Sequence, residues 1–242
     1  MQGYTHINTA SEEEFVEKTV AVLTQWVQEI CEKQDVHDIH SHISEYSCTI
    51  GLSGGSTPRP VYEALGRAKL PWKKIRLFLA DERYVPADDP DSTQHMIRET
   101  LLKHAHIPSK NIIFPDTTLT LHSCITEYQK AFLHLCKNHP PDICILGLGP
   151  DGHITSLFPP LRDATFSEEK LVIHTTTDQF AVHDRISLTL PALTQAKKFI
   201  FLLKGEEKRQ TWHTMLESGE DERRWPAKYI LEQGNVTVVS WW

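Results

Sequence analysis

The sequence predicts an α/β fold, a mostly parallel twisted sheet with helices on both faces, and three observations point to it. Short apolar runs recur along the chain, too brief for buried helices and of the length of interior strands. Segments with apolar residues at helical spacing alternate with them. Glycine turns and charged clusters fall where the predicted strands end, which is where sheets of this kind bind ligands.

In chain order, Ser11 followed by Glu12, Glu13 and Glu14 gives a helix its capping hydroxyl and acidic first turn. Phe15, Val16, Val20, Leu23, Val27 and Ile30 then repeat at helical spacing. A polar, His-rich loop is expected next, and then a strand over 48–52. Thr57-Pro58 places a cap and a first-turn proline ahead of a helical run at 61–65. Residues 75–80 form a second buried strand, which ends on Asp81-Glu82-Arg83. A Pro/Asp-rich loop leads into a helix over 92–102, and a helix over 125–136 leads to the strand at 143–146. Strands at 171–175, 186–190 and 199–203, a helix over 206–216 and a last strand at 236–240 complete the alternation. No linker, repeat or low-complexity segment interrupts it, so residues 1–242 are read as one α/β domain.

With 242 residues and 40% hydrophobic content the chain can bury a sizeable core. Its 25 basic against 32 acidic residues argue against a nucleic-acid partner, so any anionic ligand must be held by a local basic cluster. Five cysteines, odd in number and without a C-x-x-C pair, read as reduced thiols of a cytoplasmic protein. No apolar run approaches the ~18 residues of a membrane span, so no membrane partner is expected. A monomer or weak oligomer is the expected state.

The most informative stretch is Ile143 through Pro159, in which an apolar strand delivers His153 into a turn containing Gly147, Gly149 and Gly152. A titratable imidazole in such a turn is a candidate general base. Gly147-Leu148-Gly149-Pro150-Asp151-Gly152 also matches the dinucleotide pattern G-x-G-x-x-G, but that motif needs a long helix after it, and Pro159 and Pro160 deny it one. The second glycine turn, Ser53-Gly54-Gly55-Ser56-Thr57, lies between a strand and a helix start, where free amides favour an anion such as phosphate. It lacks the closing lysine of a Walker loop. It does match G-x-S-x-G, the serine-hydrolase elbow, although Ser53 followed by two glycines serves a phosphate equally well. Arg185 and Lys204, basic residues at strand ends, supply the local positive charge such a ligand needs. His37, His40 and His42 invite a zinc reading, but with no element fixing their spacing no metal is expected there.

Leu52 to Pro58, Asp81-Glu82-Arg83-Tyr84-Val85-Pro86 and Leu146 through Pro159 occur in this order, followed by Arg185 to Leu190, Lys204-Gly205 with Lys208, and Pro226-Ala227. This series resembles the glucosamine-6-phosphate isomerase/6-phosphogluconolactonase family, and within it the lactonases, over nearly the whole chain. The resemblance implies a Rossmann-like domain with a smaller lobe. It further implies hydrolysis of 6-phospho-glucono-δ-lactone, the second step of the oxidative pentose phosphate pathway, without a cofactor. Under it His153 is the base for water, Arg83 steadies the carbonyl oxygen or the sugar, and Asp81 and Asp151 orient sugar hydroxyls or the imidazole. Ser53, Gly54, Gly55, Ser56, Thr57, Arg185 and Lys204 then hold the phosphate. Thr93 departs from the asparagine usual after the Asp-Glu-Arg segment. Phe158 stands where the related deaminases carry the glutamate that partners their histidine, which disfavours ring opening and amine removal. A non-catalytic sugar-phosphate sensor is the other alternative.

Overall fold

The computed structural model describes residues 3–41, 48–137 and 139–242, with the backbone alone over 34–41. β1 (Thr5–Thr9), α1 (Glu12–Ser41), β2 (Cys48–Leu52), α2 (Arg59–Gly66), β3 (Ile75–Leu79) and β4 (Asp81–Arg83) open the chain. α3 (Thr93–Glu99), α4 (Leu101–His104), β5 (Ile112–Ile113), α5 (Leu121–Cys136) and β6 (Ile143–Leu146) come next. The last third holds β7 (Val172–Thr176), β8 (Asp184–Leu188), α6 (Leu190–Leu193), β9 (Lys198–Lys204), α7 (Glu206–Glu217), α8 (Pro226–Leu231) and β10 (Val236–Trp241).

Seven parallel strands form the main sheet in the order β1-β10-β9-β6-β2-β3-β5. Successive residues of a strand point to opposite faces, and here both faces are buried. Cys144 and Leu146 join one apolar cluster with Phe78, Phe132 and Phe201, while Ile143 and Ile145 join the other with Phe15, Leu23 and Leu202. The α/β class is therefore as the sequence predicts, and β2 and β6 have the predicted limits.

Several elements differ. The chain leaves the main sheet at Ala80, so Asp81-Glu82-Arg83 is not the end of β3 but a separate strand, β4. It pairs antiparallel with β8, and β8 pairs antiparallel with β7, making a small three-stranded sheet of order β4-β8-β7. The helix expected over 92–102 is broken at Thr100 (φ −116°, ψ −84°) into α3 and α4. Leu190 does not end a strand but opens α6, where the Thr189 hydroxyl accepts from the Ala192 amide at 3.3 Å. β1, β5 and α8 were not expected. α1 runs on to Ser41, so His37 and His40 lie on a helix backbone rather than in a loop, while His42 and all three side chains lie outside what is described.

Glu82 ties the small sheet to the start of α3. Fully buried, it accepts hydrogen bonds from the amides of Arg83 (2.7 Å), Thr93 (2.6 Å) and Gln94 (2.8 Å) and from the Ser92 hydroxyl (3.1 Å). Burial pushes its carboxyl up, against the opposing pull of those amides. Ser92 in turn caps α3 by accepting from His95 N at 3.2 Å. Each buried donor left without a partner costs ~1–3 kcal/mol, so Glu82→Ala, which strands several at once, is expected to destabilise the fold by at least about 3 kcal/mol. A urea titration checks this, and a midpoint unchanged from the parent would show that Glu82 does not hold the two parts together.

Candidate active site

From β2 the chain proceeds through α2 to β3 on one side of the sheet, whereas β6, β9 and β10 proceed to the other. Strand order thus reverses between the adjacent β2 and β6. A crevice opens at the carboxyl ends of strands at such a point, and the two turns leaving β2 and β6 line one cavity here.

The turn after β2 spans 53–58. Gly55 has φ +111°, a backbone conformation that side chains rarely adopt. A Cβ on Gly54 would stand 2.7 Å from the Thr93 hydroxyl, so the glycine lets α3 pack against the turn. The Ser53 hydroxyl donates to the Ile145 carbonyl at 2.8 Å, and its amide and carbonyl bond the Tyr62 hydroxyl at 3.2 and 3.0 Å. Ser53 therefore ties β2 to β6, and this gives the nucleophile-elbow reading no support. Cys144, on β6 beneath the site, is no nucleophile either, since burial pushes its thiol up to about 12.

The turn after β6 curls on itself, with Gly149 N donating to His153 O (2.7 Å) and Gly152 N to Gly149 O (3.0 Å). No long helix comes after it, as the two prolines predict. His153 Nδ1 lies 2.5 Å from Asp151 Oδ1, whose oxygen also accepts from the His153 amide at 3.2 Å. Burial alone would raise the Asp151 carboxyl, but the hydrogen bond and charge of His153 hold it below the ordinary carboxylate range. An acceptor at Nδ1 places the neutral ring's proton there and leaves the Nε2 lone pair for a substrate or water. Phe158 and Phe180 flank the imidazole, their ring centroids 4.8 and 5.3 Å from it.

Two features of this loop were not foreseen. A Cβ on Gly149 would run into the His153 imidazole and stand 2.7 Å from Asp151 Oδ1. From outside the pocket, Arg224 lies over Trp225 (3.8 Å) and donates to the Asp151 carbonyl at 2.9 Å. Gly149→Ala is accordingly expected to displace the imidazole and lower kcat at least about tenfold, in line with the sensitivity of catalysis to ~1 Å errors of placement. Turnover beside a thermal melt checks it: a Tm close to the parent's with lost activity is expected, and full activity would contradict the geometry.

The cavity's positive charge comes from three elements. Arg83 on β4 and Arg185 on β8 are direct cross-strand partners, and Arg185 is only 5% exposed. Arg185 Nε donates to Val182 O (2.9 Å), and Arg83 Nη1 donates to Asp91 O (2.5 Å). Burial, and next the Arg83 charge, pull the Arg185 value down. Lys208 on α7 is the third cation, its ammonium pulled down by burial. Like charges face to face destabilise a sheet, and the nearby carboxylates of Asp81, Asp91 and Glu82 offset part of that repulsion. Asp81, buried beside them, accepts from the Ser156 hydroxyl at 2.7 Å.

Ser53, Gly54, Gly55, Ser56, Thr57, Asp81, Arg83, His153 and Arg185 therefore share one cavity, and Asp151 supports it through His153. Lys204 does not belong with them. Its ammonium pairs with Glu12 at 2.5 Å and lies 4.8 Å over the Trp241 ring, while Lys208, in the first turn of α7, lines the cavity.

A switch-point crevice lined by a glycine turn, facing guanidiniums and a histidine–aspartate pair defines the class, an α/β protein with one polar cavity at its strand ends. The family model of glucosamine-6-phosphate isomerases/6-phosphogluconolactonase matches residues 10–241, and the chain belongs to that family. It is 39% identical over 194 residues to a probable 6-phosphogluconolactonase of Dictyostelium discoideum, covering 78% of this chain and 82% of that one. It is 36% identical to the 6-phosphogluconolactonase of Synechocystis, with 78% and 79% covered. Among solved structures, the 6-phosphogluconolactonase of Thermotoga maritima superposes with a TM-score of 0.79 at 28% identity, over 98% of this chain and 99% of that one. The Plasmodium vivax 6-phosphogluconolactonase gives 0.82 at 27%, over 98% and 90%.

Proposed function

We propose that this protein hydrolyses 6-phospho-D-glucono-1,5-lactone to 6-phospho-D-gluconate, the second step of the oxidative pentose phosphate pathway. The observation that carries the reading is that His153, held by Asp151, opens on the same cavity as the facing Arg83 and Arg185 guanidiniums. The 53–57 turn, Arg185 and Lys208 hold the phosphate, and Arg83 lies against the carbonyl oxygen. His153 Nε2 takes a proton from water, the resulting hydroxide bonds to C1, and the oxyanion is steadied by Arg83. The tetrahedral intermediate collapses with cleavage of the C1–O5 bond, the ring oxygen recovers the proton from His153, and Asp151 steadies the transient imidazolium. Asp81 faces the sugar hydroxyls. The chemistry calls for no metal or organic cofactor.

Residues 1–242 act as one domain in this reading. Buried thiols at Cys48, Cys124 and Cys144 support a reducing, cytoplasmic setting. Among the described residues no helix is long and apolar enough to cross a membrane. The alternative of sugar-phosphate isomerisation or deamination lacks a carboxylate at Phe158, whose ring instead packs on His153. Incubation with the phospholactone and, separately, with glucosamine 6-phosphate tests the choice. Rapid lactone loss without ammonia release is expected, and ammonia release with unaltered lactone would reverse it.

A further inference from the structure

We infer that Phe180 is a positioning residue for His153, and that the hairpin carrying it is tied to the anion site so that phosphate occupancy sets the base. The inference rests on the proposed lactonase function. Residues 177–183 join β7 to β8, and the hairpin closes through Thr177 N donating to His183 O at 3.1 Å. At its base His174 Nε2 meets Asp184 Oδ1 at 2.7 Å. At its tip Phe180 reaches into the cavity and sets its ring nearly edge-on to the imidazole, 5.3 Å away at 75°. Phe158 covers another side of the same imidazole, and the two phenylalanines lie 5.9 Å apart.

The link to the anion runs through Arg185. Its Nε donates to Val182 O, two residues from Phe180, while the rest of the guanidinium lines the anion cavity opposite Arg83. One buried side chain therefore holds both ends of the device. An anion drawing Arg185 into place fixes Val182, hence the hairpin tip, hence the wall against which the imidazole stands. Binding energy from a part of the substrate remote from the reacting carbon is thereby used to orient the base, which raises kcat as well as tightening binding.

The test separates the phosphate from the reacting ring. D-Glucono-1,5-lactone, which lacks the phosphate, is offered with and without phosphite dianion, and spontaneous hydrolysis is subtracted. Phosphite is expected to raise kcat/KM of the parent protein on this truncated lactone at least about tenfold, and less than about twofold in Phe180→Ala. Phosphite still competes with the full phospholactone in that variant, since Arg83, Arg185 and Lys208 are intact. Phe180→Leu, which keeps bulk over the imidazole, retains most of the gain, whereas Phe180→Thr, which removes that bulk as alanine does, loses it and serves if the alanine variant fails to fold by circular dichroism. No phosphite activation of the parent, or equal activation in the parent and in the alanine or threonine variant, overturns the inference while leaving the lactonase reading in place. A parent that does not hydrolyse the full phospholactone overturns both.

Discussion

His153→Ala is expected to lower kcat on the phospholactone by about 10²–10⁴, the usual contribution of a positioned general base, with KM changed little. The imidazole lines the cavity while its Nδ1 is fixed by a carboxylate 2.5 Å away. Removing it leaves the anion site and Arg83 untouched, so binding and electrostatic stabilisation persist and the residual rate stays above that of buffer. Asp151→Asn tests the orienter, since an amide can present its NH2 to Nδ1, favouring the wrong tautomer, and brings no charge to steady an imidazolium, so a loss approaching that of His153→Ala is expected. Steady-state kinetics with and without the substitutions read both. A loss below about tenfold for His153→Ala would remove it as the base.

Arg185→Ala is expected to raise KM for the phospholactone by about ten- to a hundredfold, since a hydrogen bond to a charged group is worth ~1.5–3 kcal/mol and 1.4 kcal/mol is tenfold. Its counterpart Arg83 then faces no like charge, so the folded state itself does not suffer from losing the repulsion. Arg185→Lys restores charge but neither the planar fork nor the Nε hydrogen bond to Val182, and recovers only part of the loss. The discriminating comparison is the truncated lactone, on which Arg185→Ala costs far less because no phosphate is there to lose. An equal penalty on both lactones would place Arg185 elsewhere in the mechanism.

What could be read from the sequence was what is local. β2 and β6 are apolar runs bounded by turn residues, and Asp151 and His153 are two residues apart, so their contact needs no tertiary information. The glycine turns were legible as glycines clustered after a strand, and Gly55 at φ +111° fits that reading, whereas the close approach of His153 to Gly149 depends on how the loop curls and was not. The facing of Arg83 and Arg185 was not, because it depends on the antiparallel register of β4 on β8, a pairing across some hundred residues that leaves no periodic signal. Nor was the placing of Lys208 rather than Lys204 on the cavity wall. Lys204 ends β9 and pairs with Glu12 on α1, while Lys208 stands in the first turn of α7, beyond the bend at Gly205. Phe180 lies in a connection without pattern. β1, a polar edge strand with one neighbour, lacks the apolar run that marks the interior strands.

In the proposed reaction a histidine base and an anion site in one crevice hydrolyse a phosphorylated lactone. The most direct measurement of it is the rate of 6-phospho-D-glucono-1,5-lactone disappearance at a pH where spontaneous hydrolysis is slow, with 6-phosphogluconate monitored as product. Acceleration over buffer that saturates with substrate and collapses in His153→Ala is the predicted result. A rate equal to that of buffer with the folded parent protein present would contradict it.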